Sequence, residues 1–276
     1  MIRKAAYAGR FYPDSGEAIF QLLEEIEELG KYRPPAKVSG SVIGAVLPHA
    51  GHIYSGYQTL PFFKYLSVNR IVPDTFIILN PNHSGRGPGI ALDPHEFWSN
   101  PVGKVPLDME LAEALPYPND ADAQRNEHSA EVIIPFIQYY YNGQIKILPV
   151  CMNDQTSSSA TKLAADLHHA VELTGRNAVV IASSDFSHFL TPEEGRRQDQ
   201  LILEKIRNKD VKAVERTVVK NGISVCGYGP IMTLMAYAGM IDKNYRPTML
   251  ARGHSGEIAP SRDVVDYISI LFHTSN

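Results

Sequence analysis

A chain of 276 residues with 44% hydrophobic and 20% charged residues can bury a large core, and a formal net charge of -4 with no dense basic run excludes a general nucleic-acid binder. No apolar run approaches the roughly 18–20 residues that a membrane span needs, and "MIRKAAYAGRFYPDSG" lacks the apolar core of a secretory signal. Cys151 and Cys226, with no CxxC, give no disulfide framework, so a cytoplasmic protein is expected.

Residues 16–29 place Ile19, Leu22, Leu23, Ile26 and Leu29 on one face of a helix. Pro34 and Pro35 then connect to "SVIGAVL" (41–47), a short β-rich run that reads as a strand buried on both faces. It ends in "LPHAGHIYSG" (47–56), which presents His49 on a glycine-flanked turn. "DTFIIL" (74–79), "QIKILPV" (144–150) and "NAVVIAS" (177–183) read as strands of the same kind. The stretch 81–126, rich in Pro, Gly and Asp, reads as loops and short strands laid over the site. Helical spacing appears at 129–140, at 158–173 with Thr156 or Ser157 as cap, at 193–207, at 209–220 and at 229–239. "VVDYISILF" (264–272) reads as a last strand. This alternation predicts an α/β layered fold around a largely parallel sheet, in one domain over 1–276.

In open α/β sheets, ligands bind at the carboxyl ends of the strands. His49 and His83 each follow a strand end, Asp185 and His188 follow a third, His128 opens a helix, and Cys226 precedes one. Alone, each has an ordinary explanation: a solvated loop histidine, a small buried thiol, a turn-capping aspartate. Together they gather on one edge of one sheet, whereas His168, His169 and His273 are scattered and read as structural or solvated. Imidazole, thiolate and carboxylate are ligands of zinc and of non-haem iron, and a mononuclear site needs about three of them with a position left open. His49, His83 and Cys226 could supply these, leaving Asp185, His188 and His128 to orient ligands or move protons. No GxSxG elbow, Walker A pattern or GxGxxG is present.

Taken in order, "AAYAGRFYP" (5–13), "PHAGHIYSG", "NPNHSG", "EHSAEVIIPF" (127–136), "SSDFSHF" (183–189), "CGYGP" (226–230) and "SGEI" (255–258) resemble the Memo family over nearly the whole chain. The resemblance implies a three-layer α/β/α domain around a mixed sheet, similar to the class III extradiol dioxygenases. It also implies metal ligands at His49, His83 and Cys226 and further pocket residues at His128, Asp185 and His188. The implied cofactor is iron, with copper or zinc as alternatives, since a thiolate is softer than the carboxylate of ring-cleaving enzymes. The implied activity is that of a dioxygenase-like oxidoreductase; a zinc hydrolase and a non-catalytic pocket for a peptide or partner protein stand beside it. Relatives are grouped by name with AMMECR1-like and radical-SAM proteins, which suggests a functional association. Asn80-Pro81-Asn82-His83 departs from the more usual Gly-Pro-Ser-His, His52 stands where tyrosine is usual, Tyr228 where arginine is common and Glu257 where aspartate is usual.

Overall fold

The structure is a computed structural model that describes residues 1–32, 37–141 and 145–276. Along the chain run β1 (Ile2–Lys4), α1 (Gly16–Leu29), β2 (Val42–Leu47), α2 (His52–Val68) and β3 (Thr75–Pro81). Then come β4 (Ile90–Leu92), β5 (Phe97–Asn100), β6 (Gly103–Pro106), α3 (Met109–Glu113), α4 (Ala121–Arg125), α5 (Ile134–Tyr141) and β7 (Lys146–Met152). The rest is α6 (Ser157–Thr174), β8 (Ala178–Ser183), β9 (His188–Leu190), α7 (Pro192–Arg207), α8 (Val211–Asn221), α9 (Tyr228–Ile241), β10 (Arg246–His254) and β11 (Val264–His273). The Pro34–Pro35 connection, Gln144 at the head of one expected strand and the end of "FIQYYYNG" (136–143) lie outside the described residues.

The main sheet runs β10-β11-β2-β8-β3-β7-β4. Its centre, β2-β8-β3-β7, is parallel; β4 and β11 flank it antiparallel, β10 pairs antiparallel with β11 and so runs with the centre, and β9 is added to β11. The sheet is therefore mixed. The centre is parallel because helices return the chain over its faces, so each central strand is buried on both sides. Alternation along the strands assigns the two faces. Val46, Ile77, Leu79, Val180 and Ala182 belong to one core cluster, with residues of α6, α7, α8 and α9, and Ile43 joins them where the pairing of β2 with β11 shifts register. Ala45, Leu47, Phe76, Ile78, Val179 and Ile181 belong to the other, with residues of α1, α2 and α5. This is the layered α/β architecture that the strand–helix alternation anticipates. No helix among the described residues is long and apolar enough to cross a membrane.

Among the elements absent from the sequence reading are β1, β9 and the short helices α3 and α4, and two longer ones differ as well. The turn expected at 47–56 opens into α2, which carries Pro61 in its interior and buries Ser55, Gly56, Gln58, Thr59 and most of its apolar residues. A helix packed on nearly every side shows no amphipathic stripe, which is why its periodicity is silent. Pro61 at mid-helix adds a signal that normally argues against a helix. Strand β10 is the sheet's edge, with mostly half-buried or exposed residues, and it lacks the continuous apolar run of the central strands. The stretch 81–126 does hold short strands, but β5 and β6 leave the main sheet and pair with β1 in a separate three-stranded sheet.

Candidate metal centre

The parallel strands β2, β3 and β8 deliver their carboxyl ends to one edge. His49 lies two residues past β2, His83 two residues past β3, and Asp185 two residues past β8. Cys226 arrives from another layer. Its backbone N–H donates to the Asp185 carbonyl (3.3 Å), and its own carbonyl accepts from Gln155 Nε2 (2.9 Å). Gln155 Oε1 in turn accepts the Gly229 N–H (2.7 Å), which ties the start of α9 to the sheet edge. Gly227 allows this approach: a Cβ there would sit 2.2 Å from the Ser183 carbonyl oxygen.

One donor atom each from His49, His83 and Cys226 lies within 4.8 Å of the other two. Cys226 Sγ is 3.2 Å from His49 Nε2. Each imidazole has its Nδ1 engaged elsewhere. His49 Nδ1 is 2.8 Å from Ser183 Oγ, and that hydroxyl donates its own hydrogen to the Ser129 carbonyl (2.6 Å). Ser183 Oγ must therefore accept from His49, so Nδ1 carries the proton and Nε2 keeps its lone pair. His83 Nδ1 meets Glu127 Oε1 at 3.0 Å, where the acceptor is a carboxylate. A nitrogen that donates its other N–H to a carboxylate or carbonyl is the usual arrangement of a metal-ligating histidine.

Asp185 meets His49 through the backbone. Its Oδ1 accepts the His49 backbone N–H (2.8 Å), while Oδ2 lies 4.0 Å from His49 Nε2. Its backbone N–H points at Cys226 Sγ (3.2 Å). His128 stands beside the same cluster, its ring 4.7 Å from that of His83 and 5.3 Å from that of His49. Phe11 packs on the other side of His128 at 4.5 Å, with Tyr7 at 5.3 Å. His188 is half-buried; its Nδ1 faces the Ser224 carbonyl (2.8 Å), which fixes the proton there and leaves Nε2 bare. The amides near His83 do not touch its ring: Asn82 Oδ1 accepts from Ser84 and Gly85 N–H, and Asn82 Nδ2 donates to the Arg86 carbonyl.

Burial governs the protonation of the cluster. It holds His49 well below its ordinary value, and the neighbouring His128, His83 and His188 push the same way. Burial also takes His128 down to about 4 against the pull of Glu127. Burial opposes the charged form of His83 too, but the hydrogen bond and charge of Glu127 outweigh it and raise the group. Glu127 falls to about 2 although burial resists, because His83, His128 and the Ser129 N–H stabilise the anion. Asp185 is pushed up to about 6 by burial, against the N–H of His49. Burial and the charge of Asp185 push the Cys226 thiol up.

Glu127 is the residue of the cluster that sequence reasoning passed over. It stands in the quoted "EHSAE" run, and two adjacent titratable residues ahead of a helix were its only signal. His83, Glu127 and His128 form a second group with mutually close donor atoms. Its carboxylate already accepts several backbone N–H groups, which suits an orienting group better than a free ligand. His52 is a core residue: it is buried, its Nε2 donates to the Val132 carbonyl (2.8 Å), and its ring packs on Tyr12 and Phe136. His168 pairs with Glu172 on α6, and His273 bonds Thr248 and Thr274, both away from the cluster. Glu257 pairs with Lys31 instead of facing the site.

Sequence comparison matches the description "Memo-like protein" over residues 3–271. A MEMO1 family protein of Archaeoglobus fulgidus is 38% identical over 276 residues, covering 98% of this chain and 99% of its own. Another from Pyrobaculum aerophilum is 38% identical over 281 residues, covering 99% of both chains. Among solved structures, an uncharacterized protein of Escherichia coli K12, JW3007, superposes with a TM-score of 0.56 at 13% identity, over 83% of this chain and 98% of that one. At that identity the likeness concerns the fold alone.

Proposed function

The chain belongs to the Memo family, and on that premise we propose that it is a metal-dependent oxidoreductase in which His49, His83 and Cys226 hold one iron ion. The observation that carries this reading is the convergence of two imidazoles and one thiol at the sheet's carboxyl edge, their donor atoms within 4.8 Å of one another and Nδ1 of both rings already spoken for. Metal–nitrogen bonds of about 2.0–2.1 Å and metal–sulfur bonds of about 2.3 Å are compatible with donors this close. Copper(I) and zinc are the alternatives that the same soft donor set admits. When bound, iron would supply redox chemistry and polarise a coordinated oxygen.

The chain's own residues supply the rest. His128, held neutral by burial, presents a ring nitrogen beside His49 and His83 that can hydrogen-bond a bound ligand. Asp185 keeps Oδ2 directed toward the cluster while Oδ1 anchors the His49 backbone, so it can hold or release a proton there without moving. His188 offers a bare Nε2 on a half-buried ring, a path between the cluster and solvent. The rings of Tyr7 and Phe11 pack beside His128 and cover one side of it. The ligand is a small molecule or a peptide, and an association with AMMECR1-like and radical-SAM proteins belongs to the same proposal. A reducing cytoplasmic setting suits a free Cys226.

The test is metal analysis of protein purified without oxygen. About one equivalent of iron is expected, lost in C226A and H49A. Stoichiometric, redox-silent zinc with hydrolytic turnover would replace this reading by a zinc hydrolase, and the absence of any bound metal would end it. A second reading, a non-catalytic pocket for a peptide, draws on Phe189, which is 77% exposed beside His188 with φ +58°. Strained exposed aromatics of this kind occur at binding sites. Peptide binding that survives complete removal of the metal would favour it.

A further inference from the structure

The turn from Glu127 to Ser129 reaches both imidazoles of the cluster by separate routes. On one route the Glu127 carboxylate, fully buried, accepts the His83 backbone N–H (2.6 Å) and His83 Nδ1–H (3.0 Å). It is itself held by the N–H groups of His128 and Ser129 and by the Ser129 hydroxyl, at 2.7–2.9 Å. On the other route the Ser129 carbonyl accepts from Ser183 Oγ–H (2.6 Å), and Ser183 Oγ accepts His49 Nδ1–H (2.8 Å). Five donors thus fix one carboxylate, and that carboxylate fixes one ring. A serine hydroxyl relayed to a carbonyl fixes the other ring.

The geometry points to Glu127 as the positioning residue of His83, and to the 127–129 turn as the single scaffold that presents both histidines with Nδ1 protonated and Nε2 free. This rests on the metal-centre reading for its purpose but not for its test. Glu127 touches neither an ion nor a substrate; it acts through His83. A carboxylate is required because it accepts every hydrogen bond and donates none. Glutamine would turn an NH2 group toward one of the converging N–H donors and leave His83 free to adopt either tautomer. Ser183 holds the matching position for His49, where alanine would remove the acceptor.

The first measurement needs no metal. In 15N-histidine NMR of the wild-type protein, both His83 and His49 are expected as Nδ1–H tautomers. An Nε2–H tautomer at His83 overturns the proposal even if every variant fails to fold. In E127Q, His83 is expected to lose that preference while His49 keeps it; in S183A the pattern inverts. The second measurement titrates Co2+ and follows the thiolate-to-cobalt absorption. E127Q is expected to weaken Co2+ binding about 10–100-fold, as loss of such an orienting partner typically does, and E127D to recover part of the loss. Unchanged tautomers and unchanged Co2+ affinity in folded E127Q overturn the proposal. A wild-type protein that binds no Co2+ contradicts the metal reading, while the tautomers still decide the role of Glu127.

Discussion

Replacing Glu131 by alanine tests how the segment packed against His128 is held. Glu131 and Arg3 form an ion pair at 2.7 Å with side chains only 2% and 5% exposed. The same carboxylate accepts the backbone N–H groups of Ala6 and Tyr7 and the Tyr12 hydroxyl (2.6 Å). It thereby pins the segment that brings Tyr7 and Phe11 against His128. Removing one partner of a buried pair costs about 3–5 kcal/mol, because the remaining charge stays buried. Arg3 keeps hydrogen bonds to the Gln124 and Glu127 carbonyls (both 2.9 Å) and its seat over Trp98 (4.0 Å). The loss should therefore fall in the lower part of that range, about 3–4 kcal/mol. At roughly 2–4 °C per kcal/mol for a chain of this order of size, the melting temperature of E131A should drop by roughly 6–16 °C. Urea denaturation gives the free energy directly. The double variant R3M/E131M, which removes both charges, should be less destabilised than E131A alone. A loss under about 1 kcal/mol in E131A, or a double variant worse than the single, would refute the reasoning.

Three further outcomes are expected. G227A should weaken metal binding more than tenfold and lower stability, since its Cβ would lie 2.2 Å from the Ser183 carbonyl and displace Cys226; an isothermal titration with wild-type affinity would contradict this. Asp266 is pushed up to about 8 by burial and by the hydrogen bond and charge of the adjacent Asp199, with Arg252 and Arg196 pulling the other way. The folded state thus retains a proton that the unfolded chain releases near pH 4, so wild-type stability should fall as pH rises from about 4 to 8 and level off above. D266N should remove that slope, and parallel urea midpoints for the two proteins at pH 5, 7 and 9 would show the account to be mistaken. Cys151 is 1% exposed, and burial pushes its thiol up, so native C226A should show no thiol reactive with a disulfide reagent until it is denatured; a fast-reacting thiol before unfolding would contradict the burial.

The four central strands were legible in the residues because parallel strands covered on both faces are short, continuous and β-branched, a pattern with few other solutions. The amphipathic helices α1, α7 and α8 were legible for a similar reason: a stripe facing the sheet leaves a period. His49, His83 and Asp185 could be placed on one edge from the strand ends alone, since topology fixes where carboxyl ends point. Local sequence could not reveal α2, because a helix buried on nearly every side carries no stripe and Pro61 contradicts its local preference.

The sequence by itself determined the four central strands of the sheet and which side chains lie at their carboxyl edge, because both follow from short-range pattern and chain direction. Only the tertiary structure decided what those side chains do to one another. The tautomers of His49 and His83 depend on Ser183 and Glu127, residues 134 and 44 positions away. The seat of Cys226 depends on Gln155 and on the absence of a side chain at Gly227. Hydrogen bonds of about 3 Å act between whatever atoms folding brings together, and separation along the chain carries no trace of that distance.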